Sequence, residues 1–256
     1  MINMDGKVGV VFGVANKRSI AWAIAQALQS GGMKLAITYQ NERLEQEAKS
    51  LIADLPGAEG FRCDVSQDAE IDQLFAQLKE RYGKIDTLVH SIAFAPAETF
   101  KNPFLETQRE AFRIAHDVSV YSLIALARAA APLMTAGGSI MTLTYYGSTR
   151  VIPEYNVMGV AKASLEATVR YLAFDLGKQN VRVNAISAGP IKTLAARGAL
   201  SGIGEMMKVI GQNAPLRRNI EVGEVAKTAA YLASDLSTGV TGEVIYVDCG
   251  YNIMGF

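Results

Sequence analysis

The sequence predicts an α/β fold, in which helices cover both faces of a seven-stranded parallel sheet. Seven short β-branched runs alternate with longer stretches of helical period. The runs carry apolar residues on both alternations, as strands do when both of their faces are buried. Half of the 256 residues are hydrophobic. A chain of this length and composition is therefore expected to form a single domain over residues 1–256.

The predicted strands leave room for helices between them, in a doubly wound, Rossmann-like arrangement. The first helix is predicted from the apolar stripe of Ile20, Ile24 and Leu28, with glycines after it as a stop signal. A later helix is predicted over residues 66–82, with Ser66 as its cap. The strands are predicted over residues 7–12, 34–39, 58–63, 87–91, 139–144, 182–186 and 244–248.

One segment, residues 188–219, breaks the alternation of strands and helices. It is rich in glycine and follows the sixth predicted strand. Loops at the carboxyl ends of parallel strands commonly build binding sites, so we expect a substrate lid there, with a short helix around residues 203–210. An inert surface insertion is the alternative.

Charge and apolar patterning exclude several classes of protein. The 25 basic and 25 acidic side chains cancel, which gives no expectation of nucleic-acid binding. The apolar runs are too short for a membrane helix, and no signal peptide is recognisable, so a cytoplasmic location is expected. Two distant cysteines, Cys63 and Cys249, and two separated histidines indicate neither a disulfide framework nor a metal site.

The loop after the first strand is a candidate dinucleotide site. It runs from Gly13 to Ile20, where a pyrophosphate would meet a helix N-terminus. The glycine-rich fingerprint of such sites is absent, so a plain turn remains an alternative. Ser19 is a candidate helix cap that could also offer its hydroxyl to a phosphate.

The second and third strands end in residues suited to an adenosine. Gln40 can bind a ribose hydroxyl but brings no charge to a 2′-phosphate, which favours NADH over NADPH. NADPH remains an alternative because Lys17, Arg18 and Arg43 lie nearby in the sequence. Asp64 could hold the adenine edge or cap the next helix.

The segment from Tyr155 to Lys162 is the candidate catalytic motif. Seven residues of helix place the phenol and the ammonium on one face, about 10 Å apart along the axis. Lys162 could hold a nicotinamide ribose and, as a cation, favour ionisation of the phenol. Tyr155 could then donate a proton or a hydrogen bond to a substrate carbonyl.

This chain resembles the short-chain dehydrogenase/reductase family over nearly its whole length, with departures. Thr142 stands where that family has a serine, Ser119 replaces a helical asparagine, and Tyr145 is gained. Together these departures resemble the bacterial enoyl-acyl-carrier-protein reductases. The matching segments are Gly-Val-Ala-x-x-x-Ser-Ile-Ala from Gly13, Thr-Tyr-Gln-Asn around Gln40, His-Ser-Ile-Ala from His90, Ile-Ala-His-Asp-Val from Ile114, Tyr-Asn-Val-Met-Gly-Val-Ala-Lys from Tyr155, and Arg-Val-Asn-Ala-Ile-Ser-Ala-Gly-Pro-Ile-Lys-Thr-Leu-Ala from Arg182.

The resemblance implies NADH-dependent reduction of the C2–C3 double bond of a trans-2-enoyl thioester, in a homotetramer. It implies that Tyr155 stabilises the enolate, that Tyr145 lines or gates the acyl pocket and that Ala95 faces the substrate. It implies that Lys162 holds the cofactor. The remaining cofactor contacts that we predict are Gly13, Ser19, Ile20, Gln40, Asp64, Val65, Ser91, Ile92, Ile191, Lys192, Thr193, Leu194 and Ala195.

Two other functions remain open at this stage. One is a short-chain dehydrogenase for a ketone or alcohol, with Thr142 in place of the serine. The other is a catalytically silent dinucleotide-binding regulator, against which the intact Tyr155 and Lys162 argue. An acidic carrier protein would favour a basic docking patch. The lid region supplies Lys192, Arg197, Lys208, Arg217 and Arg218.

Overall fold

The sheet contains all seven predicted strands. A computed structural model describes residues 2–193 and 202–255. The strands are parallel in the order β3-β2-β1-β4-β5-β6-β7. The predicted doubly wound fold is therefore confirmed, and its order reverses between β1 and β4, where such folds bind ligands. The strands are β1 Val8–Phe12, β2 Lys34–Tyr39, β3 Glu59–Arg62, β4 Thr87–His90, β5 Gly138–Thr144, β6 Val181–Ala188 and β7 Val244–Val247.

Helices pack on both faces of the sheet, because alternate strand residues are apolar in both directions. Leu88 and Ile140 belong to one buried cluster, and their neighbours Val89 and Met141 belong to the other. A π-helical turn, Asp117–Tyr121, joins α5 to α6. The α-helices of the described residues are α1 Ile20–Ser30, α2 Glu42–Ile52, α3 Asp68–Tyr82, α4 Glu98–Lys101, α5 Arg109–His116, α6 Ser122–Ala130, α7 Asn156–Gly177, α8 Ile203–Asn213 and α9 Val222–Ala233.

The start of α3 differs from the prediction. The helix begins at Asp68, and Ser66 does not cap it. Ser66 instead donates its backbone N–H and its hydroxyl to the Asp64 carboxylate, at 3.0 and 2.8 Å. A short polar turn therefore precedes the helix, since an Asp side chain readily accepts from the backbone two residues on. The alternative that Asp64 caps the helix is also wrong.

One continuous helical stretch, Arg109–Leu133, is long and apolar enough to cross a membrane by length and composition. Half of its most apolar window is buried inside the protein. Leu123 and Leu126 are fully buried in the cluster beneath the sheet. Helices in the core of a protein can be as long and as apolar as a membrane-spanning helix. The burial of Leu123 and Leu126 is typical of such a core helix.

The segment predicted as a lid contains a helix, as expected. This helix, α8, ends three residues beyond the short helix predicted around residues 203–210. It buries Ile203 and Ile210. Leu194, Ala195 and Arg197, which carry predictions, lie outside the described residues.

Candidate active site

A cavity of about 830 Å³ lies at the carboxyl ends of the strands, where the strand order reverses. Ile191 lines an adjoining cavity instead, and Lys192 lines a separate recess. The predicted site residues that the larger cavity brings together are Gly13, Ser19, Ile20, Gln40, Asp64, Val65, Ser91, Ile92, Tyr145, Tyr155, Lys162 and Thr193.

The loop after β1 fits a pyrophosphate because of two local features. Gly13 has a φ of 91°, and a Cβ there would collide with the carbonyl oxygen of Ser91. Only glycine lets the loop approach the end of β4 this closely. Ser19 caps α1 as predicted, since its hydroxyl oxygen accepts from the backbone N–H of Trp22 at 3.2 Å. The first turn of α1 therefore borders the cavity, where helix N–H groups favour an anion.

The adenosine end of the cavity carries a carboxylate beside an amide. Gln40 donates from Nε2 to an Asp64 carboxylate oxygen at 3.0 Å. Burial opposes ionisation of Asp64, but hydrogen bonds from Ser66 and Gln40 outweigh it and lower the pKa of this carboxyl. A 2′-phosphate next to Gln40 would meet this negative charge. The residues present fit a dinucleotide whose adenosine ribose has free hydroxyls.

Two of the three cations that kept NADPH open do not line the large cavity. Lys17 forms an ion pair with Asp54 at 2.8 Å. Lys17 and Arg18 line the recess that also contains Lys192, whereas Gln40 lines the large cavity.

Lys162 is buried at the junction of α7 and β5. Its side chain is 5% exposed, and Nζ donates to the Leu143 carbonyl oxygen at 2.7 Å. Burial lowers the pKa of this ammonium to about 8, against an opposing effect of the Glu166 carboxylate. An ammonium has three N–H groups, so two remain for a ribose that enters the cavity.

Tyr155 stands immediately before α7 and faces Tyr145. The two rings meet edge to face, with centroids 5.1 Å apart. Burial, with a smaller effect of Tyr145, raises the pKa of the Tyr155 phenol well above its ordinary value. Burial also raises the pKa of Tyr145 to about 12. Both phenols are therefore neutral hydrogen-bond donors at physiological pH.

Thr142 is unavailable to a substrate. It is fully buried, and its hydroxyl lies 2.8 Å from Nδ1 of His90, whose Nε2 lies 2.8 Å from the hydroxyl of Ser122. Burial, together with the charge of Lys162, lowers the pKa of His90 to about 3, so the ring is neutral. Thr142 thus belongs to a buried polar network. It cannot act on a substrate as the serine of short-chain dehydrogenases does.

A second, apolar cavity of about 350 Å³ adjoins the first. Both cavities are lined by Tyr145 and Tyr155, so they meet at the two phenols. Ala95, which is predicted to face the substrate, lines the apolar cavity. From the lid, Met206 places its sulfur 3.5 Å from the Tyr145 hydroxyl. The other described residues of this cavity include Phe94, Ala97, Phe100, Met158, Ile191 and Ile203.

A dinucleotide-shaped cavity that meets an apolar pocket at Tyr155 agrees with the comparison with known proteins. The profile of the family described as Enoyl-(Acyl carrier protein) reductase matches residues 13–252. The chain belongs to this family. The resemblance predicted from the sequence is confirmed.

Individual relatives match along the whole chain. The enoyl-acyl-carrier-protein reductase (NADH) FabI of Nostoc sp. is 50% identical and covers 100% of both chains. The Bacillus cereus enoyl-acyl carrier protein reductase, solved with NADP+ and an indole naphthyridinone, has a TM-score of 0.98 at 50% identity, with 100% of both chains covered. The Anaplasma phagocytophilum reductase, solved with NAD, has a TM-score of 0.95 at 46% identity and covers 99% of this chain and 96% of its own.

Gly147 is a site residue that the sequence reasoning missed. A Cβ at this position would lie 2.6 Å from Cδ1 of Tyr155 and 3.4 Å from Cδ1 of Tyr145. Gly159 of α7 is equally constrained, since its Cβ would lie 2.8 Å from the Gly147 carbonyl oxygen. The turn after β5 can therefore pack against both phenols only without side chains.

We expect Gly147→Ala to displace the Tyr155 ring and to lower kcat for reduction of an enoyl thioester by about a hundredfold, because catalysis is sensitive to ångström-scale misplacement. Gly177→Ala, at an open position on α7, is the matched control. Steady-state assays of both variants check the expectation. Equal kcat values for the two variants would contradict the packing argument.

Proposed function

We propose that this chain reduces the C2–C3 double bond of trans-2-enoyl thioesters on an acyl-carrier protein, with NADH as the reductant. The observation that carries the proposal is the meeting of the two cavities at Tyr155. One cavity has the polar features for a dinucleotide, and the other has the apolar lining for an acyl chain. The buried Thr142 counts against a ketone or alcohol substrate.

The described side chains supply the remaining chemistry. NADH, when bound, supplies a hydride to C3 of the enoyl group. Negative charge then develops on the thioester oxygen of the substrate, and the neutral phenol of Tyr155 donates a hydrogen bond to it. A proton adds at C2 to complete the saturated thioester. Lys162 binds the nicotinamide ribose through the N–H groups that Leu143 leaves free.

Tyr145 and α8 complete the acyl side of the site in this proposal. Tyr145 packs against Tyr155 and contacts Met206 of α8. Ile203, at the start of α8, also lines the apolar cavity. We assign α8 the role of a lid over the acyl chain, within a single domain, and Tyr145 the role of the wall between lid and cofactor.

We expect Tyr155→Phe to lower kcat for reduction of crotonyl thioester by about 100- to 1000-fold, because one donor to a developing oxyanion is removed. The affinity for NADH should stay unchanged, since Lys162 and the β1 loop are intact. Loss of reduced-nicotinamide absorbance measures the rate, and fluorescence titration measures the affinity.

Tyr146→Phe is the matched control, because Tyr146 packs against Tyr246 and Tyr251 and keeps these ring contacts without its hydroxyl. If Tyr155→Phe turned over like wild type, the phenol would have no part in the chemistry. Thioester reduction absent from wild type, beside turnover of simple ketones, would refute the function.

We also assign docking of the acidic carrier to the basic side chains around the lid. In the described residues, Arg218 is paired with Glu224 at 2.7 Å and Lys208 lies 3.8 Å from Glu205. The basic patch is therefore partly neutralised, which leaves Lys192, Arg217 and the weakly paired Lys208 as its exposed cations.

We expect the double variant Lys208→Glu and Arg217→Glu to raise KM for a carrier-bound substrate about tenfold, because like charges at an interface repel. The KM for a small thioester should not change. Lys227→Glu, on α9, is the control. Equal changes in KM for the two substrates would show that the basic patch does not bind the carrier protein.

A cytoplasmic homotetramer is the assembly that we propose. Its support is the exposed apolar side chains on α5 to α7, where Phe174 is 83% and Tyr171 is 76% exposed. Exposed apolar patches of this kind commonly mark protein interfaces. Sedimentation equilibrium should give the mass of four chains. A monomer at micromolar concentration would contradict this assembly.

A further inference from the structure

Asn156 follows the candidate catalytic tyrosine and has an unusual backbone conformation. Its φ is 40°, and the φ of Glu154 is 67°, so left-handed residues stand on both sides of Tyr155. Asparagine is among the few residues with side chains that adopt this region readily. The backbone therefore requires glycine or a residue such as asparagine at position 156.

The side chain of Asn156 bonds to a distant part of the chain. Its Nδ2 donates to the carbonyl oxygens of Thr99 and Asn102, at 3.0 and 3.1 Å. These carbonyls stand at the end of the short helix α4, where no further turn supplies N–H partners. A single amide NH₂ has two donors and can satisfy both. Aspartate has no such donor, and glycine has no side chain.

The two elements that Asn156 joins form facing walls of the apolar cavity. Tyr155 and Met158 line it from α7, while Ala97 and Phe100 line it from the segment around α4. The other end of that segment is fixed by Ser119, whose hydroxyl is 3.0 Å from both the N–H and the carbonyl oxygen of Phe94. The α4 wall is thus held at both ends, by Ser119 and by Asn156.

We propose that Asn156 is a positioning residue for the acyl substrate, which ties the α4 wall to the helix behind Tyr155 and so fixes the width of the apolar cavity. The identity of that substrate rests on the proposed function. The tie itself is a property of the fold, and it acts on substrate binding through Phe100 and Ala97.

Three variants test this role. Asn156→Gly keeps the left-handed backbone and removes both hydrogen bonds. Asn156→Asp keeps the size of the side chain but turns its donor into an acceptor that faces two carbonyl oxygens. Asn180→Gly is the matched control, because Asn180 is also left-handed, with a φ of 58°, but is exposed between α7 and β6.

We expect both Asn156 variants to raise KM for crotonyl thioester about tenfold, given the modest net free energy of two neutral hydrogen bonds. The KM for NADH should stay as in wild type. Hydrogen exchange should be faster at the amides of residues 97–102 in both variants. Asn180→Gly should match wild type in all three measurements.

Unchanged thioester KM with unchanged exchange in Asn156→Gly would overturn the proposal. A fall in kcat together with equal rises in both KM values would also overturn it, since that pattern indicates general loss of structure. If wild type did not reduce the thioester at all, the proposed function would fail. The exchange rates would then still decide whether Asn156 ties α4 to α7.

Discussion

The hydrogen bond from the buried ammonium of Lys162 to the Leu143 carbonyl oxygen is the constraint on which the site depends. A buried charge is costly unless its N–H groups find partners. One partner is at the end of β5, and the cofactor ribose is the proposed second. One turn further along α7, Glu166 accepts from the hydroxyl of Thr144 at 2.6 Å. Two consecutive residues of β5 thus hold α7 against the sheet.

This attachment places the phenols. Tyr145 continues β5, and Tyr155 precedes α7, so fixing the strand end to the helix brings their rings together over Gly147. The raised pKa keeps Tyr155 neutral, so its hydroxyl is available as a hydrogen-bond donor in the cavity. Thr142 stands where ordinary short-chain dehydrogenases have a serine hydroxyl. Its own hydroxyl is buried against His90 and does not face the cavity. This arrangement suits a reaction in which negative charge develops on a thioester oxygen. It is less suited to hydride transfer to a carbonyl carbon.

The sequence predicts those parts of the fold and site that depend on local pattern. Strands follow from short apolar runs, and the positions of Gly13, Gln40 and Lys162 follow from their places at strand ends or on one helix. The contact of Asn156 with Thr99 joins residues 57 apart in the chain. No periodicity reports such a contact, because it depends on how α4 folds back over α7.

The sequence also does not predict the pKa values of buried groups or which cavity a charged side chain lines. A lysine seven residues from Tyr155 indicated a cation that favours ionisation of the phenol, but burial raises the pKa of Tyr155. Lys17 and Arg18 of the loop after β1 were candidates to bind a 2′-phosphate, yet they line a different recess from Gln40. The sequence shows which charges are near one another along the chain, but not how deeply a group is buried or which cavity a side chain lines.

Isotope labelling tests the central claim, that this site performs conjugate reduction, most directly. The wild-type protein would turn over crotonyl thioester with NADH deuterated at the transferred C4 position, in ordinary water. The account predicts butyryl thioester with one deuterium at C3 and a solvent proton at C2. Deuterium at the carbonyl carbon of an alcohol or aldehyde product would contradict it.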